Sequence, residues 1–305
     1  MPQAERPVSR DDTSSSSAVS SKPRLTREEI DKLRAAEIVL IGETHDHPEH
    51  HVIQAQVIRT LKPKVVAFEM LDQRHQEMLD QLPKLPKETW DQALDWTKRG
   101  WPDFELYRPV FVAALDVGAR LLAAHPTPQT LHPLMLGKEL PRALRARLKL
   151  DLPLPQTQQR ELSKLIHDAH CGYANEVMVS AMIKAQRLKD AWMAEQLIKT
   201  VRPVVLIVGR EHAHHARGIP WAFEQLDPEL GRRVVTLALS PPAPSTGQTP
   251  TEQITLTIEP HRRDDPCERF RKQLEKMKSK HKAHPPSSGS KPASRRGSHE
   301  HSGQR

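Results

Sequence analysis

Residues 38–51, "IVLIGETHDHPEHH", run from an apolar segment directly into a loop rich in histidine. A short run of Val, Ile and Leu that ends at a glycine is typical of a strand buried within a parallel sheet. Comparable runs begin at Val65, Arg120, Val204 and Val234, and longer helical patterns separate them. The sequence therefore predicts an α/β fold with a mostly parallel central sheet and flanking helices.

The same patterns give the expected boundaries. We predict strands over residues 37–41, 65–68, 120–124, 204–208 and 234–239, and a further edge strand over 253–259. Residues 140–200 have helical spacing without a strand pattern, which predicts a helical lobe over the strand ends, interrupted at Pro153 and Pro155. The domain is predicted to span 24–260, between a Ser-rich tail (1–23) and a basic low-complexity tail (261–305), both disordered.

The net charge of +8 lies in the C-terminal tail. Residues 261–305 contain thirteen Lys or Arg and five Asp or Glu, so the rest of the chain is close to neutral. A nucleic-acid-binding domain concentrates positive charge on its folded surface, and this domain does not. We therefore expect no specific nucleic-acid partner.

The two cysteines, Cys171 and Cys267, are too few for a disulfide framework, so we expect that disulfides do not stabilise this protein. No stretch approaches the roughly 20 apolar residues that span a bilayer. The first residues resemble neither an export signal nor a lipid-attachment motif. A cytoplasmic location is the resulting expectation.

Three predicted strands end in side chains that carry chemistry. Glu43 and His45 follow the first strand, Glu69 follows the second, and His212 follows the fourth. The carboxyl ends of parallel strands share one edge of the sheet, where ligands bind, so these four residues should converge. Two of the loops repeat one pattern, Gly-x-x-His, at residues 42–45 and 209–212.

Imidazole and carboxylate groups bind divalent metals and iron, and histidine is the usual general base near neutral pH. The four residues are therefore candidate metal ligands or catalytic groups. Polar residues also follow strands in ordinary loops, and this alternative stays open. His47, His50 and His51 are better explained as the start of a helix with Asp46 as its cap. The neighbours of His212, at positions 214 and 215, are also more simply read as bystanders.

A second cluster lies at residues 168–178, "DAHCGYANEVM", where His170 and Cys171 precede a helix predicted over 175–200. Histidine and cysteine ligate metals or haem iron, but one such pair is also ordinary turn or core material. On the following helix Gln186 and Asp190 share one face, which points either at the strand-end residues or at solvent.

Together these motifs resemble the ChaN-like haem-binding family, a branch of the Tiki/TraB superfamily. The matching pieces are "LIGETHDHPEHH", "FEM", "YRPVF" followed by "LLAAHPT", "HCG" leading to "AQRLKDAWMA", and "IVGREHAHHARGIP". The resemblance spans residues 37–222. It implies an α/β fold with a haem or metal site, to which Glu43, His45, Glu69, His212, His170 and Cys171 correspond. Family members that take up haem can use a tyrosine as axial ligand, often with the haem sandwiched in a homodimer, and the tyrosines of this chain are Tyr107 and Tyr173.

Three functions compete on these grounds. The first is haem or iron binding, with His45, His170, Cys171, Tyr173 and His212 as candidate cofactor-binding residues, in haem uptake or iron handling. The second is a metal-dependent hydrolase, protease-like or esterase-like, in which Glu43, His45, Glu69 and His212 bind a divalent metal ion or activate water. The third is a non-enzymatic interaction module that acts through the basic tail.

Overall fold

The computed structural model describes residues 24–241 and 253–262, together with residues 265, 267, 268 and 271. Within them, six strands form one sheet in the order β3-β2-β4-β1-β5-β6, and every neighbouring pair is parallel. The strands are β1 Ile38–Glu43, β2 Val65–Asp72, β3 Arg120–His125, β4 Val204–Gly209, β5 Val234–Ser240 and β6 Gln253–Thr257. The predicted α/β class is confirmed. The first five strands continue one to four residues further than expected, so Glu43 and Glu69 lie inside strands.

Helices connect and cover the strands. They are α1 Arg27–Ala35, α2 Pro48–Leu61, α3 Gln76–Gln81, α4 Trp90–Ala93, α5 Phe104–Asp116, α6 Pro128–Met135, α7 Arg142–Arg147, α8 Gln156–Ala169, α9 Glu176–Lys199, α10 Ile219–Leu226 and α11 Pro228–Gly231. Single 3-10 turns lie at Gln73–His75, Leu82–Lys84, Lys87–Thr89 and Thr97–Arg99. Helix α2 begins with Pro48 at its first turn, as expected, but its N-cap is His47 and not Asp46.

The strands β1, β2 and β4 are buried at every position, and most of their residues are apolar. Val39 and Ile41 point to the face covered by α1, α2 and α5, whereas Ile38 and Leu40 point to the face covered by α9 and α10. Each fully buried aliphatic side chain stabilises the fold by roughly 1.5–3 kcal/mol. The alternation of side chains along a strand also fixes the site. Glu43, two residues beyond Ile41, faces α2 and α5.

Helices α8 and α9 pack against each other as a hairpin. The C-terminal half of α9 packs on the sheet through Leu188, Met193 and Leu197. Its N-terminal half packs on α8 in a separate small cluster, formed by Leu154, Leu162, Ile166, Ala174 and Val179. One half of the predicted helical lobe therefore covers a face of the sheet, and its other half packs in a cluster separate from the sheet core.

A disulfide joins Cys171, in the turn between α8 and α9, to Cys267 in the segment after β6. The expectation that disulfides do not stabilise this protein was wrong. Two cysteines 96 residues apart carry no sequence signal of their proximity. The predicted tails over 1–23 and most of 261–305 lie outside the described residues. None of the described helices has the length and apolar character needed to cross a bilayer.

Candidate functional site

The first Gly-x-x-His loop holds a buried carboxylate, Glu43, at the end of β1. The Glu43 side chain accepts hydrogen bonds from the Tyr107 hydroxyl and the Gln54 amide. His45 Nδ1 lies 2.8 Å from Glu43 Oε1 and 3.2 Å from the Tyr107 hydroxyl. Burial and the neighbouring Glu43 raise the pKa of Tyr107 well above its ordinary value. Tyr107 is therefore a neutral hydrogen-bond donor that fixes Glu43.

His45 lies between two carboxylates. Its Nδ1 faces Glu43, and its Nε2 lies 4.0 Å from Glu69 Oε2. Burial disfavours the imidazolium, but the hydrogen bond to Glu43 and the charge of Glu69 outweigh it, so the pKa of His45 is raised. About 31% of the His45 side chain is exposed, and the edge of its ring contacts Trp101. His45 is thus the member of the cluster that solvent or a ligand can reach.

The second Gly-x-x-His loop brings His212 to the same rim of the sheet. His212 Nε2 lies 3.2 Å from Glu69 Oε1, and the Gly209 amide donates a 2.6 Å hydrogen bond to Glu69 Oε2. Glu69 follows Val65 and Ala67 on β2, so it points to the α9 face. A Cβ on Gly209 would lie 3.0 Å from His45 Nε2, which shows how closely the two loops pack.

Helix α9 contributes two further side chains to the cluster, Gln186 and Asp190. His212 Nδ1 lies 2.5 Å from Asp190 Oδ1 and 2.9 Å from the Gln186 amide nitrogen. Burial opposes a charged imidazolium, but the carboxylates of Glu69 and Asp190 raise the pKa of His212 to about 10. In turn, His212 and His45 lower the pKa of Glu69 well below its ordinary value despite burial. His212 therefore donates hydrogen bonds from both ring nitrogens to buried carboxylates.

Residues that the sequence left as bystanders belong to this network. His51 is buried, its Nε2 lies 3.0 Å from the His45 carbonyl, and its Nδ1 lies 3.5 Å from Glu43 Oε2. His125, at the end of β3, lies close enough to Glu69 for their charges to interact. The contacts of Tyr107, Gln54 and His125 with this network were not predicted, although Tyr107 was considered as an axial ligand. A polar group inside an apolar or helical pattern does not reveal what it faces.

His50 gives a pH-dependent prediction. It is 2% exposed and its Nδ1 accepts a hydrogen bond from the Thr44 amide. Burial, together with His47 and His51, lowers the pKa of His50 from 6.5 to about 3. As the pH falls below 6.5, His50 becomes protonated in the unfolded chain but stays neutral in the folded protein. The free energy of unfolding therefore drops with decreasing pH, by about 2 kcal/mol between pH 8 and pH 5.

The substitution His50→Asn should remove that part of the pH dependence. Asparagine supplies an oxygen in place of Nδ1 but does not titrate. Urea unfolding at pH 8 and at pH 5 gives, for each of the two proteins, the slope of the unfolding free energy against pH. His125 and His214, whose pKa values burial lowers to about 4, contribute with the same sign and are unchanged in the variant. Identical slopes in wild type and variant would show that His50 is not held neutral.

Comparison with known proteins decides the family. A family model described as haem-binding uptake, Tiki superfamily, ChaN matches residues 30–223, which is more than half of the chain. The chain belongs to the ChaN haem-binding uptake family. The fold of ChaN from Campylobacter jejuni, solved with cofacial haem, is similar, with a TM-score of 0.60 and 21% identity over 75% of this chain and 90% of that one. The type III effector HopBA1 aligns at a TM-score of 0.39 and 12% identity over 75% of this chain and 91% of that one. A search of curated proteins finds no match.

The residues that the ChaN resemblance implies for cofactor binding fall into two groups. His45 and His212 lie in the strand-end cluster, whereas His170, Cys171 and Tyr173 lie in the α8–α9 turn. Ten residues of α9 separate the turn from Gln186, a rise of about 15 Å. The sulfur of Cys171 is bonded to that of Cys267, so it is not a thiolate ligand. A single haem iron therefore cannot be bound by residues of both the strand-end cluster and the α8–α9 turn.

The predicted metal set Glu43, His45, Glu69 and His212 meets in space, but its donor atoms are used within the protein. Both oxygens of Glu43 accept hydrogen bonds, and both ring nitrogens of His212 face carboxylates. Among the residues that the structure describes, no group of three or more His, Cys, Asp or Glu side chains is arranged to hold a metal ion. The divalent-metal alternative is therefore not supported.

Proposed function

We propose that this protein binds haem on the α8–α9 hairpin, in a groove of about 650 Å³ between the end of α6 and the N-terminal half of α9. The observation that carries the proposal is an exposed apolar lining. Met135, Val177 and Met178 are 58%, 77% and 45% exposed, respectively. Monomeric proteins rarely expose such contiguous apolar surface unless it binds something, and the volume is in the range of small-molecule sites.

The chemistry of the groove fits the cofactor. A porphyrin has two apolar faces and two carboxylates, and Lys138 and Lys184 line the groove beside its apolar side chains. Tyr173 does not line the groove but lies three residues before Glu176, the first residue of α9 in the lining, and its side chain is half exposed. Tyrosine and methionine are both known axial ligands of haem iron. We assign Tyr173 as the candidate axial ligand, with Met178 as the candidate on α9.

A groove that is open along one side leaves part of a bound porphyrin in contact with water. A second copy of the chain would cover it, in keeping with the cofacial haem of the Campylobacter jejuni protein. We therefore propose a haem-dependent homodimer, and haem uptake or iron handling as the process that it serves. Light scattering after size exclusion, with and without haemin, tests the dimer.

The groove has a matched pair of test variants. Val177→Glu places a carboxylate in the apolar lining, and Val52→Glu places one on α2, where Val52 is 48% exposed. Haemin titration followed by the Soret band should show at least tenfold weaker binding for Val177→Glu and wild-type affinity for Val52→Glu. Tyr173→Phe should shift the Soret maximum. If both valine variants bind haemin with wild-type affinity and His45→Ala or His212→Ala binds it more weakly, haem binds at the strand ends instead.

A hydrolase is the second candidate, and the geometry of His45 favours it. A general base is oriented by a hydrogen bond from its other ring nitrogen to a carboxylate, as His45 Nδ1 is by Glu43. Its exposed ring can then take a proton from a water that attacks a substrate beside Glu69 and His212. Turnover of an ester or peptide panel should fall by a factor of 10² or more in His45→Ala. Equal turnover in wild type and variant would exclude this function.

A further inference from the structure

Three buried polar atoms that have no hydrogen-bond partner within the described chain belong to residues around one small cavity. They are Asp190 Oδ2 and the Nε atoms of Arg187 and Arg217. Asp190 is 2% exposed and Arg217 is 8% exposed. The cavity measures about 10 Å³ and lies between the α7–α8 connection, α9 and α10. Buried polar groups cost free energy unless they are paired, so three of them at one cavity indicate a ligand.

The hydrogen bonds of both arginines run through their terminal nitrogens, and their Nε atoms have no partner within the described chain. The terminal nitrogens of Arg217 contact Glu211 at 3.0 Å and His214 at 2.8 Å. Arg187 donates to the Leu152 carbonyl, and its guanidinium lies over the Trp221 ring. Arg187 and Asp190 are three residues apart on α9, so they share one face of the helix.

We propose that this cavity is a binding site for one water molecule, which accepts hydrogen bonds from Arg187 Nε and Arg217 Nε and donates one to Asp190 Oδ2. Two donors and one acceptor match the two lone pairs and one proton of a water that makes three hydrogen bonds. A chloride would face the carboxylate, and a cation would face two guanidinium groups. The volume suits a single water.

The bound water makes Arg187 and Arg217 positioning residues for His212. Asp190 uses Oδ1 for His212 Nδ1, and the water fixes Oδ2, so the carboxylate cannot rotate away from the imidazole. Arg217 also belongs to the loop that carries His212. The water therefore connects α9 to this loop and fixes the position of His212 at the edge of the sheet. The inference stands apart from haem binding, since the groove proposed for haem shares none of these three residues.

A crystal structure of the full chain at a resolution that shows ordered water tests the site directly. We expect one water within hydrogen-bond distance of all three atoms. A dry cavity, or an arginine in direct contact with Asp190 Oδ2, would overturn the proposal. Nuclear Overhauser contacts between a long-lived water and the Nε protons of both arginines test the same point in solution.

The positioning role has a matched control. Arg187→Met removes one donor, whereas Arg147→Met removes an arginine that likewise lies over a tryptophan, Trp192, and that does not line the cavity. We expect solvent exchange of the His212 Nδ1 proton, followed by NMR, to rise at least tenfold in Arg187→Met and to stay unchanged in Arg147→Met. Arg217→Met should act like Arg187→Met. Wild-type exchange in both cavity variants would leave Asp190 positioned without the water and refute the role.

Discussion

Replacing Glu69 with glutamine is expected to lower the free energy of unfolding by about 3–5 kcal/mol, the usual cost of removing one partner from a buried ion pair. Glu69 is 3% exposed and accepts from two sides, from His212 Nε2 and from the Gly209 amide. Glutamine has one acceptor oxygen, so its amide group must face one of these two donors. The charge that favours protonated His212 is lost at the same time.

The size of this effect depends on pH in a defined direction. The pKa of His212 is raised from 6.5 to about 10, so its contribution is complete below pH 6.5 and is lost as the pH rises toward 10. The pKa of Glu69 is lowered from 4.5, so its contribution is complete above pH 4.5 and is lost at lower pH. The difference between wild type and Glu69→Gln should therefore be largest between pH 4.5 and 6.5.

Urea unfolding across pH 4.5–10 measures that difference. Glu105→Gln is the control, because Glu105 forms an exposed ion pair with Arg108 on one turn of α5. It should leave the free energy of unfolding unchanged within error at every pH, since exposed pairs contribute little. A Glu69→Gln protein as stable as wild type at pH 6 would mean that Glu69 and His212 do not form a charged pair.

The sequence was sufficient to predict where the strand-end residues meet. Strands β1 and β4 are neighbours, Glu43 is opposite Gly209 in their register, and both Gly-x-x-His loops leave the sheet at that edge. The prediction worked because parallel strands share an edge regardless of their separation in sequence. The sequence pattern could not show that Glu43 and Glu69 point to opposite faces of the sheet. Side chains alternate between the two faces along a strand, so the face depends on where each glutamate falls in that alternation.

Partners from outside the sheet edge were harder to predict. Asp190 was left between two interpretations because the helical spacing of α9 does not reveal its rotation about its axis. Tyr107 sits in an apolar helix whose packing against β1 is a tertiary contact, and its hydroxyl has no local signal. The two groups of cofactor-binding candidates look equivalent in sequence, and only the length of α9 separates them.

The disulfide also bears on where the protein resides. Disulfides persist in oxidising compartments and are rare in the cytosol. The cytoplasmic location expected from the sequence and the Cys171–Cys267 bond therefore point in opposite directions. We propose that the location be decided by thiol labelling of protein from its native cell, since a cytosolic protein would carry two reduced cysteines.

Removal of this disulfide is expected to cost about 2–4 kcal/mol of unfolding free energy. The bond closes a segment of 96 residues, and a loop of that size restricts the unfolded chain strongly, by up to about 4.7 kcal/mol for roughly 100 residues in the chain-entropy account. The disulfide also stabilises the folded protein. The α8–α9 hairpin is held by a small cluster, including Leu162, Ile166 and Val179, that is separate from the sheet core.

The double variant Cys171→Ser/Cys267→Ser isolates the bond, since serine keeps the size of the side chain. Its urea midpoint should fall below that of the oxidised wild type and match that of wild type in dithiothreitol, whereas dithiothreitol should not affect the variant. Amide exchange should increase most in the α8–α9 turn, where the tether is lost, and least in β1 and β4, which the sheet core holds. Coincident midpoints for oxidised and reduced wild type would mean that the hairpin packs equally well without its tether to the segment after β6.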